Sequence, residues 1–227
     1  MDDFVLAVDL DGVCADHAAA FARVVAAERG IDPAELVAQR TWNFHEWGLT
    51  DDDFDRFHRL GVLEHRMFRH MPVVTGAAES LWRLSDAGVW IRIVTHRLYA
   101  NWGHAIAVGD TVEWLDTVGI PYRDLCFLGR KPEVEADLYV EDAPHNLAEL
   151  AAAGNQVVIF DQPYNQEVPG RRARDWAEVE AMVTEARLAR GQAVQQPLPL
   201  DRAADERLRT QIGHGRRPQP GGRAADQ

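Results

Sequence analysis

Short apolar runs that stop at polar residues recur along the chain and constrain its fold more than any other feature. The first run covers residues 4–8 and ends at Asp9. Later runs end in the same way, and they cover residues 89–94, 125–128, 138–140 and 156–160. Runs of this length predict strands that are buried in a parallel sheet.

Helical patterns lie between these runs, and a glycine closes most of them. The predicted helices cover residues 77–87, 110–118, 144–153 and 175–190. Strands that alternate with helices predict an α/β fold with a doubly wound parallel sheet. Ligands of such sheets bind beyond the carboxyl ends of the strands, so we expect Asp9, Asp11, Thr95 and Asp142 to gather there.

The stretch 16–74 interrupts this alternation. It contains a predicted helix over 17–29, a further helical start at Pro33 and another after Thr50. We interpret it as a small helical cap inserted after the first strand, which leaves residues 1–15 and 75–189 as the core. Residues 190–227 have few large apolar side chains and are predicted to be disordered. Binding of an acidic partner by this tail is the alternative.

Charge and cysteine content narrow the class of function. A formal net charge of −12 over 227 residues disfavours a nucleic-acid polymer as partner. Cys14 and Cys126 are too few for a disulfide framework and lack zinc-site spacing, which favours a reduced cytosol. The chain shows no secretory signal and no apolar run of about 18 residues, so we expect a cytoplasmic protein without a membrane partner.

Two carboxylates, Asp9 and Asp11, stand two positions apart directly after the first predicted strand. There they can act on one phosphate together, one as nucleophile and metal ligand, the other as general acid and base. Gly12 follows them and allows a sharp turn that points backbone N–H groups at phosphate oxygens. The alternative is a turn with two solvated acids, because an Asp-x-Asp pattern is common.

Lys131 is the single lysine among the 24 lysine and arginine residues. Its compact ammonium group can approach a carboxylate and a phosphate oxygen together, whereas a planar guanidinium needs more room. It also precedes the predicted strand that ends at Glu141 and Asp142. We therefore expect Lys131 to neutralise charge beside these carboxylates, and the chance survival of one lysine is the alternative.

In chain order, these motifs resemble the four motifs of the haloacid dehalogenase superfamily. They are Asp9-x-Asp11-Gly12-Val13, Thr95 at a strand end, Lys131, and Glu141-Asp142 at another strand end. The resemblance extends over about residues 4–165 and implies a Rossmann-like core of the haloacid-dehalogenase type. It also implies that the insertion 16–74 is a C1-type cap, since that superfamily places such caps directly after the first motif.

The resemblance further implies a mechanism with an aspartyl-phosphate intermediate. Asp9 would attack phosphorus, while Asp11 would protonate the leaving oxygen and then activate water. Mg²⁺ would be held by Asp9, the backbone carbonyl of Asp11 and Asp142. Glu141 stands where an aspartate is frequent in the superfamily, so we assign the direct metal contact to Asp142 and expect Glu141 behind it. Whether Glu141 also contacts the metal stays open.

Contacts to the phosphate and the substrate are implied for further residues. Thr95 would contribute its hydroxyl, Lys131 its ammonium group and Gly12 its backbone turn. His96 and Arg97 follow Thr95 and are candidates for substrate contact, with a structural role as the alternative.

Aromatic residues crowd the predicted cap, and the candidates for facing the substrate are Phe21, Trp42, Phe44 and Trp47. An aromatic wall suits a nucleobase or another flat ring. The alternative is that most of these side chains form the small core of the cap itself.

Four stretches are similar to bacterial members of the 5′(3′)-deoxyribonucleotidase family, also called cytosolic 5′-nucleotidase type C. They cover residues 8–15, 93–97, 138–144 and 160–165. The similarity implies a phosphatase that acts on nucleoside or deoxynucleoside monophosphates in the cytosol. The alternatives are a phosphatase of a sugar phosphate or another small phosphomonoester, and a non-catalytic nucleotide-binding protein. A homodimer is compatible with the sequence.

Overall fold

A six-stranded parallel sheet forms the centre of the computed structural model, which describes residues 3–98 and 102–192. Its strands are β1 (Phe4–Val8), β2 (Val89–Thr95), β3 (Asp124–Phe127), β4 (Leu138–Glu141), β5 (Val157–Phe160) and β6 (Arg171–Ala173). The strand order is β3-β2-β1-β4-β5-β6, and every neighbouring pair is parallel. The order therefore reverses between β1 and β4, and the predicted doubly wound α/β sheet is confirmed.

Within the described residues, six α-helices accompany the sheet. They are α1 (His17–Arg29), α2 (Asp51–Leu63), α3 (Ala77–Asp86), α4 (His104–Val118), α5 (Pro144–Ala152) and α6 (Trp176–Ala189). The Asp16 carboxylate caps α1 by accepting the Ala19 N–H at 2.9 Å, and Gly30 ends it in the left-handed region. No helix within residues 3–98 and 102–192 is both long and apolar enough to cross a bilayer.

Three elements differ from the expectation. The strand β6 was not predicted, because its sequence Arg171-Arg172-Ala173 is polar and it lies at the sheet edge, where only one side is paired. The helix α4 begins at His104 rather than at residue 110, since Ala107 packs into the core and outweighs the helix-weakening Gly109. The helix expected from Pro33 is a single 3₁₀ turn, Pro33–Glu35.

The segment 16–74 leaves the sheet and returns to it at adjacent points. Ala15 and Val73 form an antiparallel bridge, the Asp16 N–H donates to the Pro72 carbonyl at 2.8 Å, and the Val74 N–H donates to the Cys14 carbonyl at 2.8 Å. The segment holds α1 and α2, and its division from the core as a separate cap stays a prediction. From residue 193 onward, the predicted disordered tail lies outside the described residues.

Candidate active site

The ends of β1 and β4 bring three charged side chains into contact. Asp9 follows β1 and Glu141 ends β4, and these two strands are neighbours in the sheet. The Lys131 ammonium group lies between them and donates hydrogen bonds to Asp9 Oδ1 and Glu141 Oε2. All three side chains are buried, so the single lysine is committed to these carboxylates.

The acidic groups at these strand ends fit a divalent cation. Oxygens of Asp9, Glu141 and Asp142 all lie within 4.8 Å of one another, and Lys131 alone cannot balance three ionised carboxylates. Asp142 Oδ1 is buried without a hydrogen-bond partner among the described residues. A buried and unpaired carboxylate oxygen is costly unless a cation binds it. The all-oxygen donor set suits a hard ion such as Mg²⁺.

The pKa values of the cluster follow from burial and from Lys131. Burial raises the pKa of Asp9 to about 7, against the lowering effect of Lys131. Burial also raises the pKa of Asp142 well above its ordinary value, and the Glu141 charge adds to this effect. Burial opposes ionisation of Glu141 too, but Lys131 outweighs it and lowers the Glu141 pKa. Asp9 and Asp142 are therefore the two groups that a bound cation would stabilise in their ionised form.

Both carboxylate oxygens of Glu141 accept hydrogen bonds from the protein. Its Oε1 accepts the backbone N–H groups of Asp142 at 3.1 Å and Ala143 at 2.9 Å, while its Oε2 accepts from Lys131. These bonds hold the lysine and the turn that carries Asp142 in place. They favour a position of Glu141 behind the metal ligands rather than direct contact with the metal.

Asp11 is paired with Arg97 and stands apart from this acidic cluster. Arg97 Nε and Nη2 donate to the two Asp11 oxygens at 3.0 and 2.7 Å, and Nη1 donates to Thr111 at 2.9 Å. The guanidinium also lies 4.2 Å from the centre of the Phe68 ring. Burial alone would raise the Asp11 pKa, but Arg97 outweighs it and lowers that pKa to about 2. Asp11 is therefore ionised, and Arg97 holds it there.

A loop after β5 supports the site, although sequence reasoning gave its residues no role. The Tyr164 hydroxyl donates to Asp142 Oδ2, and Asn165 Nδ2 donates to the Asp142 carbonyl at 2.8 Å. Gln162 Nε2 donates to the Gly12 carbonyl at 2.6 Å. Two signals pointed to this loop, namely its position directly beyond a predicted strand end and the family resemblance of residues 160–165.

Gly12 lies directly against the Asp142 carboxylate and the Tyr164 hydroxyl. Its φ of +87° lies in the left-handed region. A Cβ atom there would lie 2.0 Å from Asp142 Oδ2 and 2.7 Å from the Tyr164 hydroxyl. Only glycine leaves room for this carboxylate and its hydrogen-bond donor.

A cavity of about 1400 Å³ opens over these strand ends. Asp9, Asp11, Gly12, Lys131 and Asp142 line its floor, and the walls include Trp42, Phe44, Phe54, Phe68, His96 and Trp102. Ligand pockets commonly combine such aromatic walls with a few polar groups.

Two of the aromatic candidates lie behind this wall. The prediction that Phe21 and Trp47 face the substrate disagrees with the structure, because both are buried and absent from the cavity lining. Phe21 packs against Phe44 at 5.1 Å between ring centres, and Trp47 Nε1 donates to the Val37 carbonyl at 2.7 Å. Both side chains therefore belong to the apolar core of the segment 16–74, which was the alternative interpretation of these aromatic residues.

Thr95 and His96 differ in their access to the cavity. Thr95 is buried at the end of β2, where its hydroxyl accepts the Arg97 N–H at 3.4 Å, and it is not among the lining residues. His96 lines the cavity, and its ring centre lies 6.2 Å from that of His145. Their contacts to phosphate and substrate stay predictions.

Residues 3–189 match the family described as 5′ nucleotidase, deoxy (pyrimidine), cytosolic type C protein. The chain belongs to this family. Members of this nucleotidase family are enzymes of the phosphatase class, and the predicted hydrolase activity is therefore confirmed. A Chlorobaculum tepidum protein named "Putative 5′(3′)-deoxyribonucleotidase" is 42% identical over 185 residues, which are 80% of this chain and 91% of that protein.

Solved structures show the same fold as this nucleotidase. A haloacid-dehalogenase-family hydrolase from Deinococcus radiodurans, crystallised with bound phosphate and sodium, gives a TM-score of 0.55 at 19% identity and covers 82% of this chain and 96% of its own. A haloacid-dehalogenase-like hydrolase from Streptococcus pneumoniae gives a TM-score of 0.52 at 12% identity and covers 79% and 98%. At this identity, the likeness extends to the fold alone.

Proposed function

We propose that the chain is a Mg²⁺-dependent phosphomonoesterase that acts on nucleoside and deoxynucleoside monophosphates through an aspartyl-phosphate at Asp9. The observation that carries the proposal is the contact of Lys131 with Asp9 and Glu141, beside the unpartnered oxygen of Asp142. This arrangement at the carboxyl ends of β1 and β4 supports a buried nucleophile and a cation site. The name of the Chlorobaculum tepidum relative supports the substrate class.

In the proposed reaction, Asp9 forms the bond to phosphorus and Asp11 transfers the protons. A carboxylate oxygen of Asp9 forms a bond to phosphorus, the bond from phosphorus to the leaving oxygen breaks, and Asp11 gives that oxygen a proton. Asp11 then takes a proton from a water that attacks the aspartyl-phosphate, which releases inorganic phosphate and restores Asp9. Because Arg97 keeps Asp11 ionised, this ion pair must loosen before Asp11 carries the proton for the first step.

The cation and the single lysine would offset the negative charge that accumulates on the nucleophile and the phosphate. Asp9, Asp142 and the backbone carbonyl of Asp11 would hold Mg²⁺, which supplies electrostatic stabilisation of the transferring group. Lys131 neutralises the Asp9 carboxylate from its other side, and Glu141 keeps the ammonium group in place. The Tyr164 hydroxyl donates to one Asp142 oxygen, which leaves the other, unpartnered oxygen as the one that would bind the cation.

The segment 16–74 would act as the cap over this floor. Trp42 and Phe44 belong to this segment and line the cavity, and flat rings such as nucleobases pack well on aromatic side chains. We expect the enzyme to work in the cytosol, where nucleoside monophosphates occur, and a homodimer remains part of the proposal.

Phosphate release from a panel of nucleoside monophosphates and sugar phosphates tests the proposal. We expect nucleotides to give the highest kcat/KM, EDTA to abolish turnover and Mg²⁺ to restore it. Asp9→Asn should lower kcat by roughly a thousandfold or more, because it removes the nucleophile. Asp161→Asn is the matched control, since Asp161 also follows a strand end but does not line the cavity.

Three results would contradict the proposal. Turnover that survives chelation would exclude the cation, and full activity of Asp9→Asn would exclude the nucleophile. Nucleotide binding without phosphate release would favour the non-catalytic alternative.

A further inference from the structure

Two histidines interrupt the aromatic wall of the cavity. His17 begins α1 and His58 lies in α2, and both rings line the cavity. Their rings are stacked on each other, with 5.6 Å between centres, and His58 is stacked on Phe54 at 5.7 Å. The rings of His58 and Trp102 form an edge contact, with 6.4 Å between centres. The pair is therefore held in place by packing.

The nitrogen atoms of both imidazoles are unused by the fold. Neither side chain exchanges a hydrogen bond with any residue in 3–98 or 102–192, although each ring is polar and borders an open cavity. Burial lowers the pKa of His58 to about 3 and also lowers the pKa of His17. Each ring is therefore neutral near pH 7 and offers one donor and one acceptor. A packing role alone would be served as well by phenylalanine, which carries no polar atoms.

The pair lies on the leaving-group side of the site. The Ala15 carbonyl accepts both the Gly12 N–H at 2.8 Å and the His17 N–H at 2.9 Å, so His17 lies next to the turn that follows Asp11. The negative charge of Asp11 also acts on both rings. Asp11 is the residue that exchanges its proton with the leaving oxygen in the proposed reaction. A group that lies beside Asp11 therefore contacts the part of the substrate next to that oxygen, which in a nucleoside monophosphate is the pentose.

We propose that His17 and His58 bind the free hydroxyl group of the pentose and so select nucleoside monophosphates that carry it. This inference rests on the proposed function. A neutral imidazole can donate to a hydroxyl oxygen or accept its proton, and two adjacent rings can do both at once. Phe44, Phe54 and Phe68 pack against these two rings and offer no hydrogen bond. The two imidazoles are therefore the polar groups within this aromatic cluster.

Three substrates distinguish the proposed contact with the pentose hydroxyl from phosphatase activity in general. They are a 2′-deoxynucleoside 5′-monophosphate, its 2′,3′-dideoxy analogue and p-nitrophenyl phosphate, whose leaving group has no pentose. We expect the wild-type enzyme to prefer the deoxynucleotide over the dideoxy analogue by about 10-fold in kcat/KM, as one or two hydrogen bonds allow. His58→Phe and His17→Phe should each reduce this ratio toward one, while activity on p-nitrophenyl phosphate changes less than twofold.

Two further variants control the experiment. His58→Asn keeps a donor and an acceptor, so part of the preference should return. His70→Phe introduces the same side chain at an exposed histidine outside the cavity lining and should leave the ratio unchanged. Melting temperatures identify any variant that fails to fold, and His58→Asn then decides between contact and packing.

The outcomes distinguish the contact from the proposed function. Turnover of p-nitrophenyl phosphate with none of either nucleotide by the wild type would overturn the proposed function and this inference with it. Equal rates on the deoxy and dideoxy nucleotides by the wild type would overturn the inference alone. A loss in His58→Phe that is equal for all three substrates would also overturn it, since that result indicates a packing role.

Discussion

Gly12→Ala is expected to weaken metal binding by roughly 100-fold, while its cost to folding should equal that of alanine at another left-handed glycine. A Cβ atom would lie 2.0 Å from Asp142 Oδ2, and such contacts are essentially never shorter than 3.0 Å, so the carboxylate must move by about 1 Å. A misplacement of about 1 Å can cost roughly 100-fold in rate. The Tyr164 hydroxyl, 2.7 Å from the same position, blocks one direction of retreat. We expect at least this loss in kcat/KM and a similar weakening of Mg²⁺ binding.

The matched control for this variant is Gly154→Ala. Gly154 has a similar φ of +79°, but nothing lies within 4 Å of a Cβ atom there. Both variants should lose about 1 to 2 kcal/mol of unfolding free energy from the left-handed backbone, measured by urea denaturation. Only Gly12→Ala should lose metal affinity, measured by competition with Mn²⁺ in electron paramagnetic resonance. Wild-type Mn²⁺ affinity in Gly12→Ala would refute the reasoning.

Three further predictions concern the neighbours of the site. Tyr164→Phe removes the donor to Asp142 Oδ2 and should weaken Mn²⁺ binding roughly 10- to 100-fold. The control is Tyr139→Phe, because the Tyr139 hydroxyl donates to the Val134 carbonyl and not to the site. Arg97→Lys loses the paired contact that lowers the Asp11 pKa to about 2. Because Asp11 must be protonated to act as general acid in the first step, the basic limb of the kcat/KM profile should move to higher pH, and an unmoved limb contradicts this. The unfolding free energy should fall as the pH drops from 6.5 toward 3, because unfolded His58 takes up a proton that the folded ring does not, and denaturation of His58→Phe should show a smaller fall.

The sheet was predictable because its central strands are apolar on both faces. Residues 4–8 match β1 completely, and four other predicted runs lie within two residues of the strands found. The edge strand β6 was missed because Arg171 and Arg172 are partly exposed and their sequence carries no apolar signal. Strand periodicity reports burial, so a polar edge strand escapes it.

The floor of the site was more predictable than its walls. The catalytic candidates stand directly after apolar strands, and the parallel sheet then brings Asp9, Lys131 and Asp142 together. Tyr164 and His58 are singled out by contacts between distant parts of the chain, which periodicity does not report. The aromatic pattern alone could not separate Phe44, which lines the cavity, from Phe21, which lies behind it.

The bridge between Ala15 and Val73 has a consequence for the engineering of this enzyme. Because the segment 16–74 begins and ends at neighbouring positions, a replacement needs only two ends that lie side by side. A longer inserted segment costs little additional chain entropy to close, about 0.6 kcal/mol for each doubling of its length. We therefore expect the sheet to accept grafted inserts of different size at residues 15 and 73, with altered substrate preference and an unchanged arrangement of Asp9, Lys131 and Asp142.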